Sequence, residues 1–338
     1  MLGTKITLIG LLAAATAVPL NQPWQLVPNS YGFLHIVNIN PSNLPDVVSS
    51  NPEHLFAPES DMVFRLFTRT NPIEPQFLEI GNPASITNSN FNAEHPTRFT
   101  IHGWNGNGND PSSTVVRNSF ISAGDFNVIN VEWSVAAVTP NYVSARNAVG
   151  PAGTGVGLLI DELIAHAGAS LDDIYVSGFS LGAHVAGNAG KYHNGNINTI
   201  IAIDPAGPLF SSGQEDAVSP EDGQYVETIM TNAGVAGANI PLGQANFYPN
   251  GGRRQPGCGT DINGSCAHER APVLYAESIG SSVPFRSTRC QSHDELLDGV
   301  CTPSGPDANM GGEPSNYGRE VEGIYFLTTN GEEPFAQG

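Results

Sequence analysis

Gly178–Gly187, GFSLGAHVAG, places a serine between two glycines where a buried strand gives way to a helix. The preceding DDIYVSGF is β-branched and aromatic, as a short strand buried on both faces would be. Ser180 sits at the hinge. A tight strand-to-helix turn leaves no room for side chains two positions to either side, which accounts for Gly178 and Gly182, and it forces the serine into a strained, exposed conformation. The pattern is a nucleophile elbow, in which the helix N-terminus beneath the hydroxyl favours developing negative charge.

Outward from this point the chain alternates. Strand-like runs recur at 97–104 (TRFTIHGW), 126–133 (FNVINVEW), 172–179 (DDIYVSGF), 197–204 (INTIIAID) and 224–231 (QYVETIMT), with a last one near EGIYFLTT. Between them Val156, Leu159, Ile160, Leu163, Ile164 and Ala167 keep the spacing of a helix with one buried face. Such alternation predicts an α/β fold, a mostly parallel central sheet with helices on both faces. The first eighty residues, rich in Pro and Asn, resist placement, and the segment after Thr302 is expected to run over the surface before the last strand. There is no internal repeat and no low-complexity linker.

The serine needs a base, and the base an orienting carboxylate, in the chain order Ser, Asp, His for this fold. Asp204 closes the run TIIAIDPAGP and would emerge beside Ser180 on the neighbouring strand. Two histidines remain downstream, His268 and His293. We favour His268, whose loop Cys266 would anchor, over His293 inside the other cystine loop. The oxyanion donors are then the backbone N–H groups of Leu181 and Trp104. His102 precedes Ser180 and is expected to brace the loop, and His184 to pack against the sheet.

Residues 1–17 end an apolar run in Ala15, Thr16, Ala17, as a cleaved secretory signal does, while Pro19, Asn21 and Gln22 stop the run short of a membrane span. An extracellular protein is expected, with residues 18–338 forming a single domain. The four cysteines suit that compartment. Of their three pairings the local one, Cys258–Cys266 with Cys290–Cys301, costs least chain entropy. No CxxC pair suggests a metal. The net charge of −19 argues against nucleic acid and anionic membranes as partners. With the signal removed, Lys191 is the sole lysine among scattered arginines, which suggests an alkaline working medium. Asn263-Gly264-Ser265 forms a glycosylation acceptor inside the first cystine loop.

The segments TRFTIHGW, NVINVEW, VSGFSLGAHVAGNAGK, IIAIDPAGP, NFYPNGG and CAHERA, in this order, closely resemble the pancreatic-type lipase family of α/β-hydrolases. The resemblance implies Ser180 as nucleophile, Asp204 as orienting acid, His268 as base, Trp104 and Leu181 as oxyanion hole, a glycerolipid substrate met transiently at a lipid surface, and no organic cofactor. Two features depart from the family. No residues after Gly338 provide its C-terminal β-sandwich, so a monomer without colipase is expected. The loop SSGQEDAVSPEDGQYV keeps Glu215, Glu221 and Asp222 but is shorter than the family's calcium loop, and no metal is assigned. The family's lid, a long amphipathic flap spanned by the disulfide matching Cys258–Cys266, is here GTDINGS, too short for a stable helix. The second covering loop, NAGVAGANIPLGQA, is also compact. Together these resemble secreted insect members of the family and phospholipases A1, whose polar substrates need an open, solvated mouth. A non-catalytic storage or lipid-binding relative is the alternative.

Overall fold

The computed structural model describes residues 24–29, 33–38 and 56–338; the expected signal segment lies outside them. Among the described residues the strands are β1 (Trp24–Pro28), β2 (Leu34–Asn38), β3 (Val63–Phe67), β4 (Gln76–Leu78), β5 (Thr97–Ile101), β6 (Asn127–Glu132), β7 (Ile174–Phe179), β8 (Thr199–Ile203), β9 (Tyr225–Ile229), β10 (Ala245–Pro249), β11 (Arg286–Cys290), β12 (Ala308–Asn309) and β13 (Gly323–Leu327). The helices are α1 (Pro58–Asp61), α2 (Pro83–Thr87), α3 (Pro111–Ala123), α4 (Ser134–Ala137), α5 (Tyr142–Asn147), α6 (Val149–Ala167), α7 (Leu181–Tyr192), α8 (Ser265–Gly280) and α9 (His293–Leu297).

Strands β1 and β2 form a separate hairpin; the other eleven form one sheet in the order β12-β11-β13-β10-β9-β8-β7-β5-β6-β3-β4. Every pairing from β13 across to β6 is parallel, whereas β3, β4, β11 and β12 close the two ends antiparallel. The central strands are buried almost throughout, rich in β-branched and aromatic residues, because both of their faces are covered. In β8, Ile200 and Ala202 join a core shared with α6 and α7, while Ile201 and Ile203 point the opposite way into a core shared with α3 and α8. The expected architecture is therefore present, and the five central runs are strands β5 to β9, trimmed at their ends. The helical spacing from Val156 lies in α6, which begins earlier, at Val149, and closes on Gly168 in the left-handed conformation.

The stretch after Thr302 differs from expectation. Met310, Ser315 and Asn316 are buried, because Glu227 on β9 accepts hydrogen bonds from Gly311 N (2.6 Å) and Asn316 Nδ2 (3.1 Å) and draws this segment over the sheet.

Candidate active site

Parallel strands deliver their C-terminal ends to one edge of the sheet, and the site residues collect there. Ser180 follows β7 and precedes α7, with φ 57° and ψ −121°, a conformation that costs roughly 1–3 kcal/mol and persists only where its surroundings enforce it. Its N–H donates to Ile203 O at 3.0 Å and its carbonyl accepts from Ala206 N at 3.2 Å. The turn is thus clamped to the end of β8. The glycines are required sterically: a Cβ on Gly178 would stand 2.0 Å from Gly182 O, and one on Gly182 would stand 2.5 Å from Ile101 O.

Asp204 leaves β8 fully buried. Its Oδ1 accepts from Thr231 N (2.8 Å) and Asn232 N (3.0 Å), and its Oδ2 faces His268 Nδ1 at 2.5 Å. Three donors therefore hold one carboxylate, which fixes the imidazole with Nε2 turned away from Asp204. The backbone donors at Thr231 and Asn232, and Gly237, whose Cβ would press on Asp204 Oδ1 at 2.6 Å, escaped the sequence reading. A main-chain N–H leaves no signature in residue type.

His268 was expected on a loop, but it sits in the first turn of α8, its ring centroid 4.5 Å from that of Phe179. The helix begins there because Asp261, inside the cystine loop, accepts from Cys266 N (3.2 Å) and Ala267 N (2.8 Å), satisfying donors that a helix start leaves open. The Cys258–Cys266 disulfide, with Cα atoms 5.6 Å apart, holds that cap in place. The cystine loop thus sets the start of the helix that carries His268. The second bridge, Cys290–Cys301, also forms as expected. His293 opens α9, half-buried against the Tyr248 ring at 5.3 Å, and the Asp204 oxygens are engaged elsewhere.

The oxyanion candidates lie on either side of the elbow. Leu181 is the first residue of α7, and Trp104 follows β5. Trp104 is fixed by its Nε1–H to Thr139 O (2.9 Å) and by edge-on packing against Tyr142 (5.1 Å). Bracing comes from His102, which is fully buried: Nε2 accepts from Trp133 N (3.2 Å), Nδ1–H donates to Gly103 O (2.8 Å), and its carbonyl accepts from Trp133 Nε1 (2.9 Å). Burial lowers its pKa to about 4, so the ring is neutral and both nitrogens are occupied. His184 is likewise held neutral by burial, its pKa lowered to about 3. It stacks on Phe210 at 3.5 Å rather than on the sheet, and it joins Ala206 O to Val218 N.

Of the acids considered for calcium, Asp222 is paired, and so is Asp216 in the same loop. Lys191 Nζ lies 2.5 Å from Asp222 Oδ2 and Arg146 Nη2 lies 2.8 Å from Asp216 Oδ1. An ammonium and a guanidinium thus engage two of this loop's carboxylates. Among the described residues the one cluster with ligand spacing is Cys258, Asp261 and Cys266, whose sulfurs are bonded to each other and whose carboxylate caps α8.

The sheet, its two helical layers and the serine elbow are those of an α/β-hydrolase. The chain belongs to the lipase family, whose profile, described as Lipase, matches residues 41–335. It is 34% identical over 249 residues to Lipase member H of Oryctolagus cuniculus, covering 71% of this chain and 54% of that one. It is 36% identical over 246 residues to Phospholipase A1 member A of Bos taurus, covering 70% and 53%. Lipase member H of Danio rerio matches at 36% over 253 residues, covering 73% and 55%. The matches thus span about half the length of these relatives. Among solved structures, a phospholipase/carboxylesterase from Dyadobacter fermentans DSM 18053 overlaps 40% of this chain and 64% of its own, with a TM-score of 0.30 and 16% identity.

Proposed function

We propose that the protein is a secreted carboxylic ester hydrolase that cleaves acyl esters of glycerolipids through Ser180, His268 and Asp204. The observation that carries this reading is the buried Asp204–His268 contact at 2.5 Å, beside a serine held at φ 57° on the elbow. Ser180 Oγ attacks the ester carbonyl while His268 Nε2 takes its proton, and Asp204 stabilises the imidazolium. The tetrahedral oxyanion is met by the Trp104 and Leu181 N–H groups. Collapse breaks the acyl–oxygen bond, and the departing lysolipid or glyceride alcohol receives the proton from His268. Water then follows the same path to release the fatty acid and restore the serine. Two disulfides support an oxidising, extracellular location. Covalent labelling of Ser180 by a fluorophosphonate probe tests the reading: folded protein that takes up no label would favour the non-catalytic storage relative instead.

A short cystine loop favours phospholipid or galactolipid over strict triacylglycerol specificity, because a polar head group needs an open mouth. We expect a short-chain ester to reach full kcat below its solubility limit, and phosphatidylcholine or a galactolipid to turn over at least as fast as triolein. A steep rise in kcat at the solubility limit, with activity on triolein but none on phosphatidylcholine, would restore a lidded triacylglycerol lipase.

Activity and stability should part company on the alkaline side. Arginines stay charged there, and once the signal is removed Lys191 is the sole lysine, so activity through His268 is expected to persist to about pH 9. Glu269, its neighbour, has its pKa raised to about 8 by burial and secondarily by the nearby Asp110 carboxylate, and burial raises that of Glu227 to about 7. A carboxyl whose folded pKa is raised contributes stability that is full below its unfolded value, near 4.3, and is lost as pH climbs through the folded one. The melting temperature should therefore fall between about pH 5 and pH 8, and Glu269→Gln should flatten the upper part of that fall. A melting curve unchanged by pH in both proteins would contradict this.

A further inference from the structure

The β1–β2 hairpin has no counterpart in the chemistry described so far. Its register pairs Gln25 with Val37 and Val27 with His35 on one face, and Leu26 with Ile36 and Pro28 with Leu34 on the other. The first face is anchored. Val27 and Val37 are buried in the core that contains Trp104, the His35 ring lies 4.5 Å from the Trp104 ring, and Gln25 Nε2 donates to Val235 O at 3.2 Å. The hairpin therefore spans from the oxyanion-side residue Trp104 to the loop that begins with the Asp204 donors Thr231 and Asn232.

The second face meets water except at Pro28, which is buried. Trp24 is 53% exposed, Leu26 52%, Leu34 39% and Ile36 72%, and Phe33 at the turn is 70% exposed. An isolated two-stranded ribbon is marginal in water, and a cluster of exposed large apolar side chains marks an interaction site. Charge identifies what it meets. From residue 6 to residue 45 there is no Asp, Glu, Lys or Arg, in a chain of net charge −19. A protein so acidic is repelled by anionic surfaces and offers here, at the rim of its ester site, an uncharged apolar face.

We propose that the outward face of the β1–β2 hairpin seats the Ser180 mouth on an uncharged or zwitterionic glycerolipid surface. This rests on the reading of the protein as a lipid ester hydrolase. Docking of this kind concentrates the enzyme on the interface, so it lowers the apparent KM for aggregated lipid and leaves kcat on dissolved esters unaltered.

The chain contains three tryptophans, of which Trp104 and Trp133 are buried, so Trp24 dominates any fluorescence change caused by contact with lipid. The protein carrying Ser180→Ala, which hydrolyses nothing, is mixed with phosphatidylcholine vesicles. A blue shift and co-sedimentation are expected, with partitioning at least tenfold weaker for the added pair Leu26→Ser and Ile36→Ser, and weaker still on phosphatidylglycerol vesicles at low salt. With Ser180 intact, the same pair should raise the apparent KM for vesicular phosphatidylcholine at least tenfold while kcat on a dissolved short-chain ester stays within twofold. A matching melting temperature excludes a folding defect. Equal partitioning of parent and variant, tighter binding to anionic vesicles, or a shift that grows with protein concentration in the absence of lipid would each overturn the proposal, the last in favour of a second copy of the chain. Vesicle binding by the Ser180→Ala protein is read without catalysis, and hydrolysis of the dissolved ester is read without vesicles, so either idea can fail alone.

Discussion

Asp204→Asn should lower kcat on a soluble ester by about 10⁴-fold, and His268→Ala by about 10⁴–10⁶-fold, with little change in KM, while His293→Ala stays within a few-fold of the parent. The asymmetry follows from the hydrogen bonds. Asp204 accepts from Thr231 N, Asn232 N and His268 Nδ1, and an asparagine amide can present only one oxygen to these three donors. Its NH₂ group must then face either the backbone donors or Nδ1. In the first case a buried pair of donors meets head-on; in the second the imidazole is driven into the tautomer that puts the proton on Nε2, where it cannot accept one from Ser180. His293 makes no such contact: its neighbour is the Tyr248 ring, and it lies in a helix held by the second disulfide. Steady-state kinetics on a dissolved short-chain ester separate the variants, and a comparable loss of kcat in His293→Ala would undo the assignment of the base.

The sequence was most legible where burial is greatest. Strands β5 to β9 announce themselves because a strand covered on both faces is buried along its length, as Ile174–Phe179 is, and draws on β-branched and aromatic residues. The elbow is readable for a steric reason, since only glycine fits at 178 and 182. Elsewhere the residue types carry a weaker message. Strands β3 and β11 close the sheet antiparallel; β3 is a short run interrupted by Arg65, and β11, with Arg286 and Arg289, looks polar. Strand β10 ends in Pro249 and holds Asn246, which accepts from Leu242 N and Gly243 N to build the turn before it. Helix α8 has Pro272 inside it and takes its cap from Asp261, a residue beyond the N-cap position where one would look. The hairpin at the start of the chain is held by tertiary contacts with Trp104 and Val235, and nothing local predicts those.

The opening glycines allow a second large effect. A methyl group on Gly178 would lie 2.0 Å from Gly182 O and 2.3 Å from Gly182 C; one on Gly182 would lie 2.5 Å from Ile101 O and 2.6 Å from His102 O. All four contacts are backbone, so no rotamer change relieves them. Strand β5 is fixed by parallel pairing to β6 and β7, and the elbow by Ser180 N to Ile203 O. Overpacking a core ordinarily costs about 1–3 kcal/mol, and displacement of hydrogen-bonded backbone belongs at or above the top of that range. For a domain of this size, at about 2.1 cal/mol/K of unfolding entropy per residue, about 1.5 °C is lost per kcal/mol, so Gly182→Ala should melt roughly 4–5 °C or more below the parent, and Gly178→Ala, with the closer contact, lower again. Gly182→Ala should also lose activity beyond its loss of stability, because the carbonyls it pushes belong to the residues leading into Trp104. A misplaced oxyanion donor costs about 10²–10³-fold in kcat. The control is Gly280, the last residue of α8, where an added Cβ meets nothing within 4 Å; Gly280→Ala should stabilise by about 0.5–1 kcal/mol. Calorimetry on the three variants beside ester kinetics checks the argument. If Gly178→Ala and Gly280→Ala melt alike, the close approach of strand, elbow and helix is not what selects glycine beside Ser180.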